Sequence, residues 1–189
     1  MSTEPTGAQD RATPVIRPRQ LAHVVFYTNQ LGRMVAWYES VLGAELAFGD
    51  ERVAFLSFDA EHHRIALVAT ESYAPKPAAK SVGFYHVAFT YGRLAELIAT
   101  YERLAAMDIA PVRTINHGPT VSFYYADPDG NLVELQVDAF ADAESAKRWM
   151  RGPVFERNPI GVELDMKSYV SAFHAGASEA ELLRRADDV

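Results

Sequence analysis

LAHVVFYTNQLGRMVAWYESVLG, residues 21–43, returns in altered form as FYHVAFTYGRLAELIATYERLAA, residues 84–106, and this recurrence decides the fold. In each copy a short apolar and aromatic run with the pattern of a strand leads into a longer run with helical spacing. His23 and His86 stand 63 positions apart (86 − 23 = 63). The same offset carries Leu31 to Leu94, Met34 to Leu97, Val35 to Ile98, Tyr38 to Tyr101 and Val41 to Leu104. Those spacings make one buried helical stripe per copy, so packing fixes the register between copies as firmly as the letters do.

Further strand patterns follow the first helix in AELAFG (44–49), RVAFLSF (52–58) and HHRIALVAT (62–70). The second helix is followed by IAPVRTIN (109–116), TVSFYYA (120–126) and NLVELQVDA (131–139). The expected fold class is therefore α+β: two tandem βαβββ modules, residues 20–71 and 84–138, pairing into one curved-sheet site. SYAPKPAAKSVG, residues 72–83, reads as the linker between them. Residues 1–19, rich in Pro, Thr and charge, read as a flexible arm. Residues 139–189 lie outside the repeat, with two helix-like stretches around a Pro- and Gly-containing centre, and form a C-terminal helical extension. Docking on the sheets, closing over a pocket and making dimer contacts are all open to it. DPDGN at 127–131 predicts a tight hairpin that sets the register of the following strand; it is not a calcium loop.

Composition narrows the chemistry. With 189 residues, 49% of them hydrophobic and 23% charged, the chain can build an ordinary globular core. The net charge of −7 is spread over interspersed acids and bases, with no Lys/Arg block to track a phosphate backbone or an anionic membrane. Nucleic acid and membrane partners are not expected. The absence of cysteine removes disulfides, thiolate zinc sites and iron–sulfur clusters, so any metal must use His nitrogen or carboxylate oxygen. No secretion signal opens the sequence, and no apolar run approaches the roughly 20 residues that span a bilayer. A cytoplasmic location is expected.

Five of the six histidines, His23, His62, His63, His86 and His117, fall on or beside predicted strands of the repeat; only His174 lies in the extension. Strand alternation puts His23 with Val25 and Tyr27, and His86 with Ala88 and Thr90, on corresponding faces. A lone strand histidine is more often a satisfied core residue. Equivalence in a repeat singles these two out, because modules related by a pseudo-twofold axis would bring them together. Glu134 interrupts the apolar last strand, where a half-buried carboxylate is costly without a cation or hydrogen-bond partner, unless it faces solvent at an edge. Its counterpart in the first module falls in IALV near Leu67, which cannot bind metal. His23, His86 and Glu134 are thus the candidate metal ligands. Two imidazoles and one carboxylate leave open positions on one side of the ion, an arrangement suited to Fe(II) that must bind substrate and dioxygen together.

Taken together, LAHVVFYT, HHRIAL, FYHVAF and NHGPTVSFYYADPDGNLVELQVD resemble the vicinal oxygen chelate superfamily, and within it the type I extradiol ring-cleaving dioxygenases. The likeness runs over residues 20–138 and continues weakly into the extension. It implies Fe(II), with Mn(II) as the variant, held by His23, His86 and Glu134. It also implies three residues around the metal: His63, preferred over His62, as acid/base; His117 on the dioxygen side; and Tyr124, not Tyr125, bonded to a substrate oxygen. The implied reaction opens a catechol-type diol such as 2,3-dihydroxybiphenyl beside its hydroxyls with dioxygen, giving a 2-hydroxy-6-oxo-dienoate. The expected partners are that small aromatic diol, dioxygen and further copies of the chain in a homo-oligomer. Two other readings stay open. One is a glyoxalase-like lyase or epimerase, which usually recruits a fourth protein ligand; the other is a metal-free drug-binding protein of the same superfamily. Tyr85, Phe89, Tyr91, Phe123, Tyr125, Trp149 and Phe155 offer aromatic surface, with core packing the default for most.

Overall fold

The computed structural model describes residues 15–76 and 82–188. Most of the expected N-terminal arm, residues 1–14, and the centre of the linker, residues 77–81, lie outside the described residues. The first module comprises β1 (Val24–Thr28), α1 (Leu31–Leu42), β2 (Glu45–Gly49), β3 (Val53–Ser57) and β4 (Ile65–Ala69). The second comprises β5 (His86–Tyr91), α2 (Leu94–Ala105), β6 (Arg113–Asn116), β7 (Thr120–Ala126) and β8 (Leu132–Asp138). Both helices start and end at the offset that the histidines share. Gly43 closes α1 in the left-handed region at φ 63, where a side chain would be strained. Glu96 closes a capping box with Arg93 at the start of α2.

Each module forms a mixed sheet in which the first strand lies parallel to the last. The orders are β1-β4-β3-β2 and β5-β8-β7-β6-β9, where β9 (Val162–Glu163) comes from the extension. The fold is α+β, as expected. Met34, Tyr38 and Val41 of α1 and Leu94, Leu97, Ile98 and Leu104 of α2 are all fully buried. They join Val87, Phe123, Tyr125, Val133 and Leu135 of the second sheet, and Leu56, Ile65 and Leu67 of the first, in one connected apolar core. The helices thus cover one face of each sheet, and His86, Ala88 and Thr90 occupy the other. Edge strand β2 is exposed along its length, and a bulge between Leu46 and Phe48 breaks its register with β3.

Polar bonds tie the modules together. Tyr38 donates to Asp127 Oδ2 at 3.2 Å, Gln30 donates to the Pro128 carbonyl at 2.9 Å, and Arg103 donates to the Ser40 carbonyl at 2.6 Å. Asp127 also accepts from the backbone N–H groups of Asp129 and Asn131, shaping the tight turn from β7 to β8.

The extension is more elaborate than two helical stretches. It contains α3 (Ala143–Met150), α4 (Pro153–Arg157), β9, α5 (Met166–His174) and α6 (Glu179–Leu183). It docks on the second module: β9 pairs with β6, Tyr169 of α5 enters the core, and His174 meets Glu102 of α2 at 2.6 Å.

Candidate metal centre

The last strand of the second module places Glu134 between two neighbours. Parallel pairing sets it opposite Ala88 on β5, and antiparallel pairing sets it opposite Tyr124 on β7. Alternation turns Val133 and Leu135 to the helices and Glu134 to the other face, where it is only 5% exposed. A carboxylate buried that far needs a partner. His86, on the same face of β5, supplies one: its Nε2 lies 2.8 Å from Glu134 Oε2. His86 Nδ1 is buried and has no partner among the described residues.

Tyr124 completes this side. Its ring stands edge-on to His86 with centroids 5.4 Å apart, and its hydroxyl lies 2.8 Å from His117 Nε2. Tyr125 points into the core, so alternation separates the two phenols as expected. Burial, then the adjacent Glu134 carboxylate, raises the Tyr124 pKa above the ordinary phenol range, which keeps the hydroxyl protonated at neutral pH. His117 Nδ1 contacts the Ile160 carbonyl. A carbonyl only accepts, so Nδ1 carries the hydrogen, and Nε2 of the neutral ring is the acceptor that faces Tyr124. Burial lowers the His117 pKa, favouring that neutral ring.

His23 and His63 form a second cluster on the first module, with ring centroids 4.4 Å apart. His62 Nδ1 lies 2.6 Å from His63 Nδ1, but His62 is largely exposed, so His63 is the member that faces His23. Partial burial, followed by the neighbouring His23 and His62, lowers the His63 pKa. Both histidines precede β4, which begins at Ile65. The six residues singled out in the sequence therefore fall into a four-residue group, His86, Glu134, Tyr124 and His117, and a two-residue group, His23 and His63. Among the described residues, no three metal-capable side chains are gathered closely enough to hold an ion.

Register corrects one detail. Val25 pairs with Ala66 as Ala88 pairs with Glu134, so the first-module counterpart of Glu134 is Ala66 and not Leu67. Leu67 points into the core. Neither side chain offers a ligand. Of the aromatics, Phe123 and Tyr125 are fully buried, whereas Tyr85 is 61% exposed beside His86, with ring centroids 5.1 Å apart. Ile160 could not be anticipated from side-chain type, because its contribution is a backbone carbonyl.

The model of the Glyoxalase/Bleomycin resistance protein/Dioxygenase superfamily matches residues 20–135. The chain belongs to this superfamily. Among superfamily proteins, biphenyl-2,3-diol 1,2-dioxygenase 3 of Rhodococcus globerulus is 41% identical over 90% of each chain. Biphenyl-2,3-diol 1,2-dioxygenase 2 of the same organism is 39% identical over 83% of each chain. A solved glyoxylase/bleomycin resistance protein/dioxygenase domain from Frankia sp. EAN1pec superposes with a TM-score of 0.55. It covers 67% of this chain and 96% of its own at 18% identity, and so shows the superfamily fold alone. No helix among the described residues is long and apolar enough to cross a membrane.

Proposed function

We propose that the chain is an Fe(II)-dependent extradiol dioxygenase that opens an aromatic diol, 2,3-dihydroxybiphenyl or a simpler catechol, beside its hydroxyls. The observation that carries this reading is the buried His86–Glu134 pair, with its donors 2.8 Å apart and flanked by Tyr124 and His117. The relatives named biphenyl-2,3-diol 1,2-dioxygenases support it. The donor set fits the metal: a buried carboxylate beside an imidazole that has one unpartnered nitrogen is the chemistry of a divalent-ion site. His86 and Glu134 would hold the ion, and His23, which stands in the separate group with His63, would have to join them; the ion would bring the diol and dioxygen together. Tyr124 keeps its hydrogen at neutral pH and can turn it from His117 to a substrate oxygen. His117 Nε2 then becomes free to accept a hydrogen bond on the same side. His63, an imidazole biased toward its neutral form, is suited to take a proton from the diol and return it during ring opening. The product is a 2-hydroxy-6-oxo-dienoate that keeps both oxygen atoms. Ala66, where a fourth ligand would stand, speaks against a lyase or epimerase.

Anaerobic loading with Fe(II), followed by 2,3-dihydroxybiphenyl or catechol in air, tests the proposal through oxygen uptake and the yellow ring-opened product. Stoichiometric uptake with colour, abolished in His86→Ala, is the expected result. Bound iron without uptake would overturn the dioxygenase reading, and failure to bind Fe(II) or Mn(II) would overturn the metal site itself.

A further inference from the structure

Arg185, just after α6, is 2% exposed, and its side chain is wholly out of solvent. A buried guanidinium is tolerated only when its donors are satisfied. This one makes five hydrogen bonds, matching the five N–H groups that an arginine carries. Nη1 donates to the carbonyls of His117 at 3.0 Å and Asn158 at 2.9 Å. Nη2 donates to the Val154 carbonyl at 3.0 Å and to Asp187 Oδ2 at 3.3 Å, and Nε donates to Asp187 Oδ1 at 2.6 Å. The guanidinium carbon also lies 5.0 Å from the centre of the Trp149 ring.

These bonds converge on the residue that faces Tyr124. One fork of Arg185 holds the His117 carbonyl, and the same group holds Val154 and Asn158, on the segment that leads to Ile160. The two partners of the His117 Nδ1 contact, the imidazole and the Ile160 carbonyl, are therefore fixed relative to each other by one cation. Neighbouring contacts act in the same sense. Asn116 donates to the Leu183 carbonyl at 3.0 Å, and Gly118, at φ 97, lies so close to Trp149 that any Cβ would collide with the indole. We propose that Arg185 is a positioning residue for the centre, setting the tautomer and placement of His117 toward Tyr124. The proposal rests on the reading above, in which His117 and Tyr124 face the substrate and dioxygen. Lysine could not substitute, because its three donors radiate from one nitrogen and cannot span three carbonyls and a carboxylate.

Arg185→Lys in the full chain tests this in two ways. In metal-free protein, long-range ¹⁵N spectra of native His117 should show the Nδ1–H tautomer, and Arg185→Lys should move it toward the Nε2–H form usual for free histidine. In iron-loaded protein with 2,3-dihydroxybiphenyl, kcat per bound iron should fall about 10- to 100-fold, with KM changed by less than about threefold and the acidic limb of the kcat–pH profile displaced. A folded Arg185→Lys with native His117 signals, kcat and pH profile overturns the proposal, even if its melting temperature falls. If Arg185→Lys does not fold, Asp187→Asn weakens the same clamp from its exposed side: a partial shift of the His117 signals supports the proposal, and unchanged signals overturn it. A native protein without oxygen uptake, but with His117 signals that respond to Arg185→Lys, would sink the dioxygenase reading and leave the positioning role standing.

Discussion

The phenol of Tyr38, on the helix of the first module, donates to Asp127 Oδ2 at 3.2 Å, in the turn that launches the strand bearing Glu134. Tyr38 is fully buried and Asp127 is 4% exposed, so this bond ties the two modules beneath the site in a region that water does not reach. Tyr38→Phe should cost about 1–2 kcal/mol in urea unfolding, the worth of a buried hydrogen bond to an acidic group. Asp127→Ala also strips the turn of its Asx bonds and should cost roughly 3 kcal/mol or more. Equal, negligible effects would show that the link contributes nothing.

Burial raises the Asp127 pKa, outweighing the hydrogen bonds that lower it. Because the folded value lies above the unfolded one, the unfolded chain releases this proton first, and stability from the group is lost as pH rises through that window. The stability advantage of the native protein over Asp127→Asn should therefore be largest in acid and shrink as the pH rises from about 4. Chemical denaturation of both proteins across that range would reveal it; a difference that grows with pH would contradict the assignment.

Glu134→Gln keeps the shape of the side chain and removes its charge. Iron content should fall, and activity at limiting iron should drop more than about a hundredfold, since even residues that merely support a metal ligand are worth about 10- to 100-fold. Metal analysis alongside circular dichroism separates lost binding from lost fold.

Tyr124→Phe retains the ring against His86 and deletes only the hydroxyl. We expect iron content to be preserved and kcat/KM to fall about 10-fold or more, the worth of one well-placed hydrogen bond. Because the phenol stays protonated beyond its ordinary range, the alkaline limb of the pH profile should keep its shape in the variant.

In the extension, Asp142, Asp165 and Glu181 accept hydrogen bonds at helix starts, and these bonds hold their carboxyl groups below the usual range. The stabilisation is present above the ordinary carboxylate pKa and is lost as pH falls through the lowered values. Amide exchange at the starts of α3, α5 and α6 should therefore speed up as the pH falls toward about 3. Unchanged protection at those helix starts would refute the role of these carboxylates.

Much of this was legible in the letters because it depends on side-chain type at fixed spacing. The shared offset of His23 and His86 and of the stripe from Leu31 to Val41 located both helices to within two residues and put the histidines at the starts of equivalent strands, His23 just before β1 and His86 at the head of β5. Alternation turned Tyr124 and Tyr125 to opposite faces, and the family resemblance chose Tyr124. The counterpart of Glu134 was harder to place because the connection from α2 to β6 is five residues longer than that from α1 to β2, which raises the offset from 63 to 68 before the last strand; only the strand register identifies Ala66. The grip on His117 left no trace in sequence, since Arg185 works through the carbonyls of His117, Val154 and Asn158, which every residue possesses.

The broken register of β2 bears on how the protein behaves at high concentration. Leu46 and Phe48 are about half exposed on a strand with a free edge, and on a flat strand such an edge would template self-assembly into fibres. The bulge between them adds local twist and offsets the amide rungs, so a second strand cannot zip along the full edge. Repairing it, by deleting Ala47, should convert a harmless margin into a nucleus for aggregation.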